Sequence, residues 1–190
     1  MPEVRIQLSH QPGYDSGLKE KIMIVYKLTD VKHQTYNRLQ WGENITNRVE
    51  IPSRTKLCSK DLIHYYHDPL VAMFVNPIHG DYQPAVLWEA QTDCDRAGDG
   101  LKFGSWELTT KHILPIPQIS TEQRVRFALY IVLHTYDNPA YTKWAWGWLK
   151  GEDRSEAAAR TARAAWAAWA AAWAAEQLIT SAAHWAIKDN

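Results

Sequence analysis

Cysteine is nearly absent from this chain: Cys58 and Cys94 are the only two in 190 residues. That scarcity excludes the disulfide framework of small secreted domains and fits free thiols in a reducing, cytoplasmic setting. An excess of charge is missing as well. Lysine plus arginine and aspartate plus glutamate number 21 each. The balance leaves no overall electrostatic footprint for nucleic acid or for an anionic membrane. Long apolar runs are also lacking. The N-terminal stretch has no signal-peptide core. Residues 164–175 are uncharged, but the run is 12 residues long, against the ~20 of a membrane span. The spaced signatures of phosphate loops, dinucleotide turns, zinc-protease helices and nucleophile elbows do not occur. No cofactor follows from the sequence.

Hydrophobic patterning places an α+β fold in the first part of the chain: a small mixed sheet with one or two helices. Residues 1–21 are polar, with Gly13 and Gly17, and read as a flexible leader. Residues 22–114 form the α+β domain. Within it, residues 22–28 are a β-rich apolar run and predict a buried strand. Residues 57–66 predict a second strand. Asp68-Pro69 is a helix start, a capping carboxylate followed by proline at the first helical position. The helix is expected to stop before Asn76-Pro77, because a residue preceding proline avoids helical geometry. Residues 86–90 and 101–110 predict two further strands joined across the turn at residues 95–100. Residues 115–151 are a helical pair. The first of these follows the capping box Ser120 to Gln123, and the second runs from Asn138-Pro139 to Gly151.

Residues 152–190 form an Ala/Trp-rich helical tail, with 16 alanines between residues 155 and 187. Alanine gives such a helix intrinsic stability but little area to bury, so adhesion falls to the tryptophans. Trp166, Trp169 and Trp173 share one face at helical spacing. That face then turns polar, and Leu178, Ala182 and Trp185 open a second one. The stripe is too short for a long two-stranded coiled coil. The expectation is a two-sided connector, its first half folded back on the helical pair and its second half projecting. Trp166, Trp169, Trp173, Leu178 and Trp185 are then the interaction residues, toward a second copy or a host protein.

Candidate chemistry is sparse. His64 and His67 are close in sequence, but alternation on a strand sends His64 with Tyr66 to one side and Tyr65 with His67 to the other. No shared metal is expected of them. Lys27 on the first strand, His64 before the helix and Glu89 on a later strand resemble, in their order, the site residues of ADP-ribosyltransferase-like folds. The resemblance implies a nicotinamide-dinucleotide grip by Lys27 and His64, with Tyr65, Tyr66 and Trp41 as aromatic contacts and Glu89 on the ribose. It leaves an enzyme or a nucleotide-sequestering protein as the second reading of function, with a small nucleotide as ligand.

A second resemblance covers residues 23–175. The runs Val25-Tyr26-Lys27-Leu28-Thr29-Asp30, Gln40-Trp41-Gly42-Glu43-Asn44, Asn76-Pro77-Ile78-His79, Leu87-Trp88-Glu89, Thr121-Glu122-Gln123-Arg124-Val125-Arg126-Phe127 and Asp153-Arg154-Ser155-Glu156-Ala157 carry it. They resemble a family of small phage and prophage proteins with an Ala/Trp-rich C-terminal helix. As to function, the resemblance implies only an accessory protein in a host cytoplasm and brings no activity with it; by analogy with small phage proteins, the expectation is a non-enzymatic protein that binds a host factor or defence component. The resemblance also implies that the shared part begins near Met23.

Overall fold

The computed structural model describes residues 22–50, 57, 59–135, 137, 139–152, 154 and 176–188. The leader, Cys58 and the stripe Trp166, Trp169 and Trp173 lie outside the described residues. The fold is α+β. Among the described residues nine strands run from β1 (Met23–Thr29) through β2 (Gln34–Thr35), β3 (Leu39–Gln40), β4 (Thr46–Arg48), β5 (Ile63–Tyr65), β6 (Val86–Thr92), β7 (Ala97–Gly98) and β8 (Phe103–Ser105) to β9 (Glu107–Leu114). Among the described residues four α-helices accompany them: α1 (Pro69–His79), α2 (Thr121–Thr135), α3 (Pro139–Leu149) and α4 (Glu176–Ala186).

The main sheet has the order β1-β6-β9-β4, and a second one the order β5-β8-β7. The pairings among the described strands are antiparallel, where the sequence reading has a mixed sheet. Tyr26 and Tyr66 join the two sheets by a reciprocal pair of backbone hydrogen bonds, each 2.8 Å. Two expected strands are revised. Residues 57–66 supply only the three-residue β5, because the segment before it turns. Residues 101–110 divide between β8 and β9, which leave for different sheets.

Pleat alternation gives the main sheet two covered faces. In the β1–β6 register Val25 stands opposite Ala90, and Lys27 opposite Trp88. Val25 and Ala90 pack with Trp41, Ile63, Tyr65, Phe103 and Leu108 into a core under the second sheet. The alternate set, with Leu28 and Leu87, packs against α1, α2 and α4 in the larger core.

Helix α1 is buried from Leu70 to Asn76. Its start is as expected: Asp68 Oδ1 accepts from the backbone N–H of Leu70 at 2.8 Å and of Val71 at 3.0 Å. Its end is not, since the helix continues through Pro77 to His79. Proline has no N–H to give the carbonyl four residues back, which here is Met73. Arg124 Nη1 supplies that donor from α2, 3.3 Å from Met73 O and 3.5 Å from Phe74 O. The stacked rings of Phe74 and Phe127, centroids 4.5 Å apart, reinforce the same junction.

The box that starts α2 closes in both directions, Ser120 N–H to Gln123 Oε1 at 2.8 Å and Gln123 N–H to Ser120 Oγ at 3.1 Å. Leu129, Ala145 and Trp148 form a small core between α2 and α3. Trp144, Trp146 and Trp148 do not share one face: Trp148 is buried in that core and Trp146 is 49 % exposed.

The largest departure concerns α4. The half of the tail expected to project is part of the core. Ile179, Ala182, Ala183 and Ala186 are fully buried with α1 and α2 residues. Small side chains at these positions let the helix come close to its neighbours, so alanine serves here as a packing surface. Trp185 lies against Tyr130, ring centroids 5.2 Å apart, and beneath the Arg126 guanidinium at 4.8 Å. His184 Nε2 meets Asp68 Oδ2 at 2.8 Å, tying α4 to the cap of α1. Leu178 is half-buried on the same helix.

Candidate functional site

A cleft of about 940 Å³ opens where the end of β1, the 36–39 turn, the 59–66 segment and the C-terminal end of α1 meet. Lys27, His64, Tyr66, His79, Tyr82 and Lys102 line it. Strand geometry brings Lys27 there: it belongs to the face of β1 that the second sheet covers, so the side chain is drawn inward and is 7 % exposed. Its Nζ donates to the His64 carbonyl at 2.5 Å and stands 5.0 Å from the centroid of the Trp41 ring. Burial, helped by the charge of Lys102, lowers its pKa to about 7. Among the described residues no carboxylate forms an ion pair with Lys27 or Lys102.

The imidazoles of the cleft are held neutral in the same way. Burial lowers His64 to about 4, with Lys27, Lys102 and His79 adding to the effect. Burial and Lys102 lower His79 to about 4, partly opposed by Asp99. The Tyr66 ring stacks on His79, centroids 6.0 Å apart at 17°, with its hydroxyl 3.3 Å from His79 Nδ1. Burial, with Asp30, raises the Tyr82 phenol. Lys102 reaches the cleft through a local turn, in which Asp99 Oδ1 accepts from the N–H of Leu101 and of Lys102, both at 2.9 Å.

Of the residues singled out in the sequence, Lys27, His64 and Tyr66 come together in the cleft. Glu89 does not join them. It stands opposite Tyr26 in the β1–β6 register, on the face of the sheet away from Lys27, and its Oε2 lies 3.9 Å from His112 Nε2. The order Lys27, His64, Glu89 is therefore not a site, and the ADP-ribosyltransferase-like arrangement is not formed. Trp41 is 1 % exposed, with its indole N–H on Thr35 Oγ1 at 2.9 Å; it supports Lys27 from below. Tyr65 points away from the cleft as alternation requires. Its hydroxyl donates to Asp95 Oδ1 at 2.5 Å, and His67 Nε2 lies 3.0 Å from the same oxygen. Burial and the Asp95 bond push the Tyr65 phenol up. His79, Tyr82 and Lys102 were not legible as site residues. The signal for Lys102 was the turn at 95–100; His79 had none, because the passage of α1 through Pro77 depends on the distant Arg124.

Among the described residues no helix is long and apolar enough to cross a membrane. Comparison with protein-family models, with curated proteins and with solved structures finds no match to this chain.

Proposed function

We propose that the chain is a binding protein, not an enzyme, and that the α+β body takes up a small anionic ligand of the nucleotide class in the Lys27 cleft. One observation carries the reading. Lys27 is buried at the cleft wall with its amine on a single carbonyl oxygen, beside the like charge of Lys102 and with no carboxylate ion pair among the described residues. A buried cation without an anion is costly, and a phosphate would relieve that cost. Tyr66, Tyr82 and the exposed Tyr36 add aromatic surface along the cleft for a base. The resemblance to phage and prophage proteins gives such a binder an accessory, host-cytoplasmic setting. Self-association or docking to a host protein falls to Trp166, Trp169 and Trp173 of the Ala/Trp-rich tail, because α4 is engaged in the core.

Thermal unfolding of the full chain against mono-, di- and triphosphate nucleotides and inorganic phosphate tests this. A ligand at 100 times its Kd adds about 2.7 kcal/mol of stability, and the nucleotide is recovered unaltered. Lys27→Met removes the increment. If no phosphate compound stabilises the wild-type chain, or the increment survives in K27M, the reading is wrong.

A further inference from the structure

We propose that the Lys27 amine is also a nucleophile, which captures a small anionic aldehyde or ketone in the cleft as a reversible imine. The proposal rests on the reading of the cleft as an anion site and adds covalent chemistry to it. Its basis is geometric. The amine sits in a desolvated wall of a cleft large enough for a small metabolite. A single hydrogen bond to His64 O anchors it, and Trp41 backs it on one side. Another cation, Lys102, acts on it across the cleft, which Arg48, Lys60, Glu50 and Asp61 also line. Desolvation and an adjacent cation are the two means by which proteins turn lysine into a carbonyl nucleophile. The same two influences place its pKa at about 7, so a large share of the amine carries its lone pair at neutral pH.

The chemistry balances within the cleft. The nitrogen lone pair forms the new C–N bond to the carbonyl carbon, and the C=O π pair moves to oxygen. A first proton passes from nitrogen to that oxygen to give the carbinolamine, and a second follows from nitrogen as the C–O bond breaks, so that water leaves and the nitrogen lone pair closes the C=N bond. No oxidant or reductant is consumed, and water reverses the sequence. His64 and His79, neutral imidazoles lining the same cleft, are proton carriers for the transfer from nitrogen to oxygen. Lys102 supplies attraction for the anionic group of the ligand. The class of ligand that fits is a carbonyl compound bearing a phosphate or carboxylate.

The probe is pyridoxal 5′-phosphate, an aldehyde that carries a phosphate, added to the full chain at pH 7 and followed by borohydride and peptide mass spectrometry. Lys27 is expected to be labelled more than tenfold faster than the exposed Lys32, Lys143 and Lys150, with a rate that saturates in probe concentration. Labelling of Lys27 no faster than of those exposed lysines overturns the proposal. The nucleotide shift on the same protein separates the two readings. A shift without selective labelling removes the imine and leaves the binding site. Selective labelling without any phosphate-induced shift, repeated with glyoxylate, keeps the imine and removes the nucleotide. Lys27→Arg has no primary amine and should lose the saturable phase of labelling. The wild-type labelling pattern decides by itself, so a K27R chain that fails to fold does not leave the matter open.

Discussion

Burying bases beside one another makes stability depend on pH, and the sign follows from which state holds more protons. His64 and His79 are lowered from the ordinary 6.5 to about 4 in the folded chain. Between those values the unfolded chain binds more protons, so stability rises with pH there and falls as acid is added. It is constant above the unfolded value and flat again below about 4. Each histidine contributes a slope of at most about 1.4 kcal/mol per pH unit. Lys27 acts in the same sense at higher pH: stability rises from about 7 to 10.5 as the unfolded chain keeps its proton and the folded one does not. Urea unfolding from pH 4 to 10 should show both ramps. His79→Gln should flatten the acidic ramp and leave the alkaline one, and K27M the reverse; an acidic slope unchanged in H79Q would contradict the assignment. At this scale the sequence was partly legible. Strand alternation separated His64 from Tyr65, and Tyr66 from His67, because the pleat is a local rule. It also separates Lys27 from Glu89, but only once the register of β1 on β6 is known, and register is set by residues about sixty positions apart.

Helix ends divide in the same way between local and distant causes. Asp68, Ser120 and Gln123 cap their helices through contacts within three residues, so their roles were visible in the chain. The passage of α1 through Pro77 was not, because the donor that serves Met73 O comes from Arg124, 51 positions away. This exchange of donors is testable. Arg124→Met should destabilise by about 1–3 kcal/mol, the cost of leaving a buried acceptor unpaired. Adding Pro77→Ala restores an N–H that can serve Met73 from within the helix. Denaturant unfolding of the two single variants and the double variant should therefore show a positive coupling, with P77A/R124M recovering most of the loss. Additive changes would mean that Arg124 matters only through its packing.

At the scale of the molecule, the sequence pattern places residues 176–186 on a projecting helix, and the structure seats that helix in the core. An Ala-rich segment has little apolar area of its own, and a face such as Leu178, Ala182 and Trp185 reads as free surface until the groove between α1 and α2 is known. That groove accepts Ile179, Ala182, Ala183 and Ala186 because they are small or fit its depth. Ala183→Leu should cost about 1–3 kcal/mol by overpacking, read as a lowered unfolding midpoint with an unchanged m-value; a neutral outcome would show that α4 is not held as closely as the geometry implies. The seat of α4 has a further consequence in time. A chain leaves the ribosome N-terminus first, and β1 to α2 emerge long before residues 179–186. Until that segment arrives, the apolar surface of α1 that it covers stays open to water. Synthesis and completion of the core are thereby ordered: the helical layer closes only after residues 179–186 have been made, and a chain cut short before α4 is left with an unfinished interior and not merely a shorter tail.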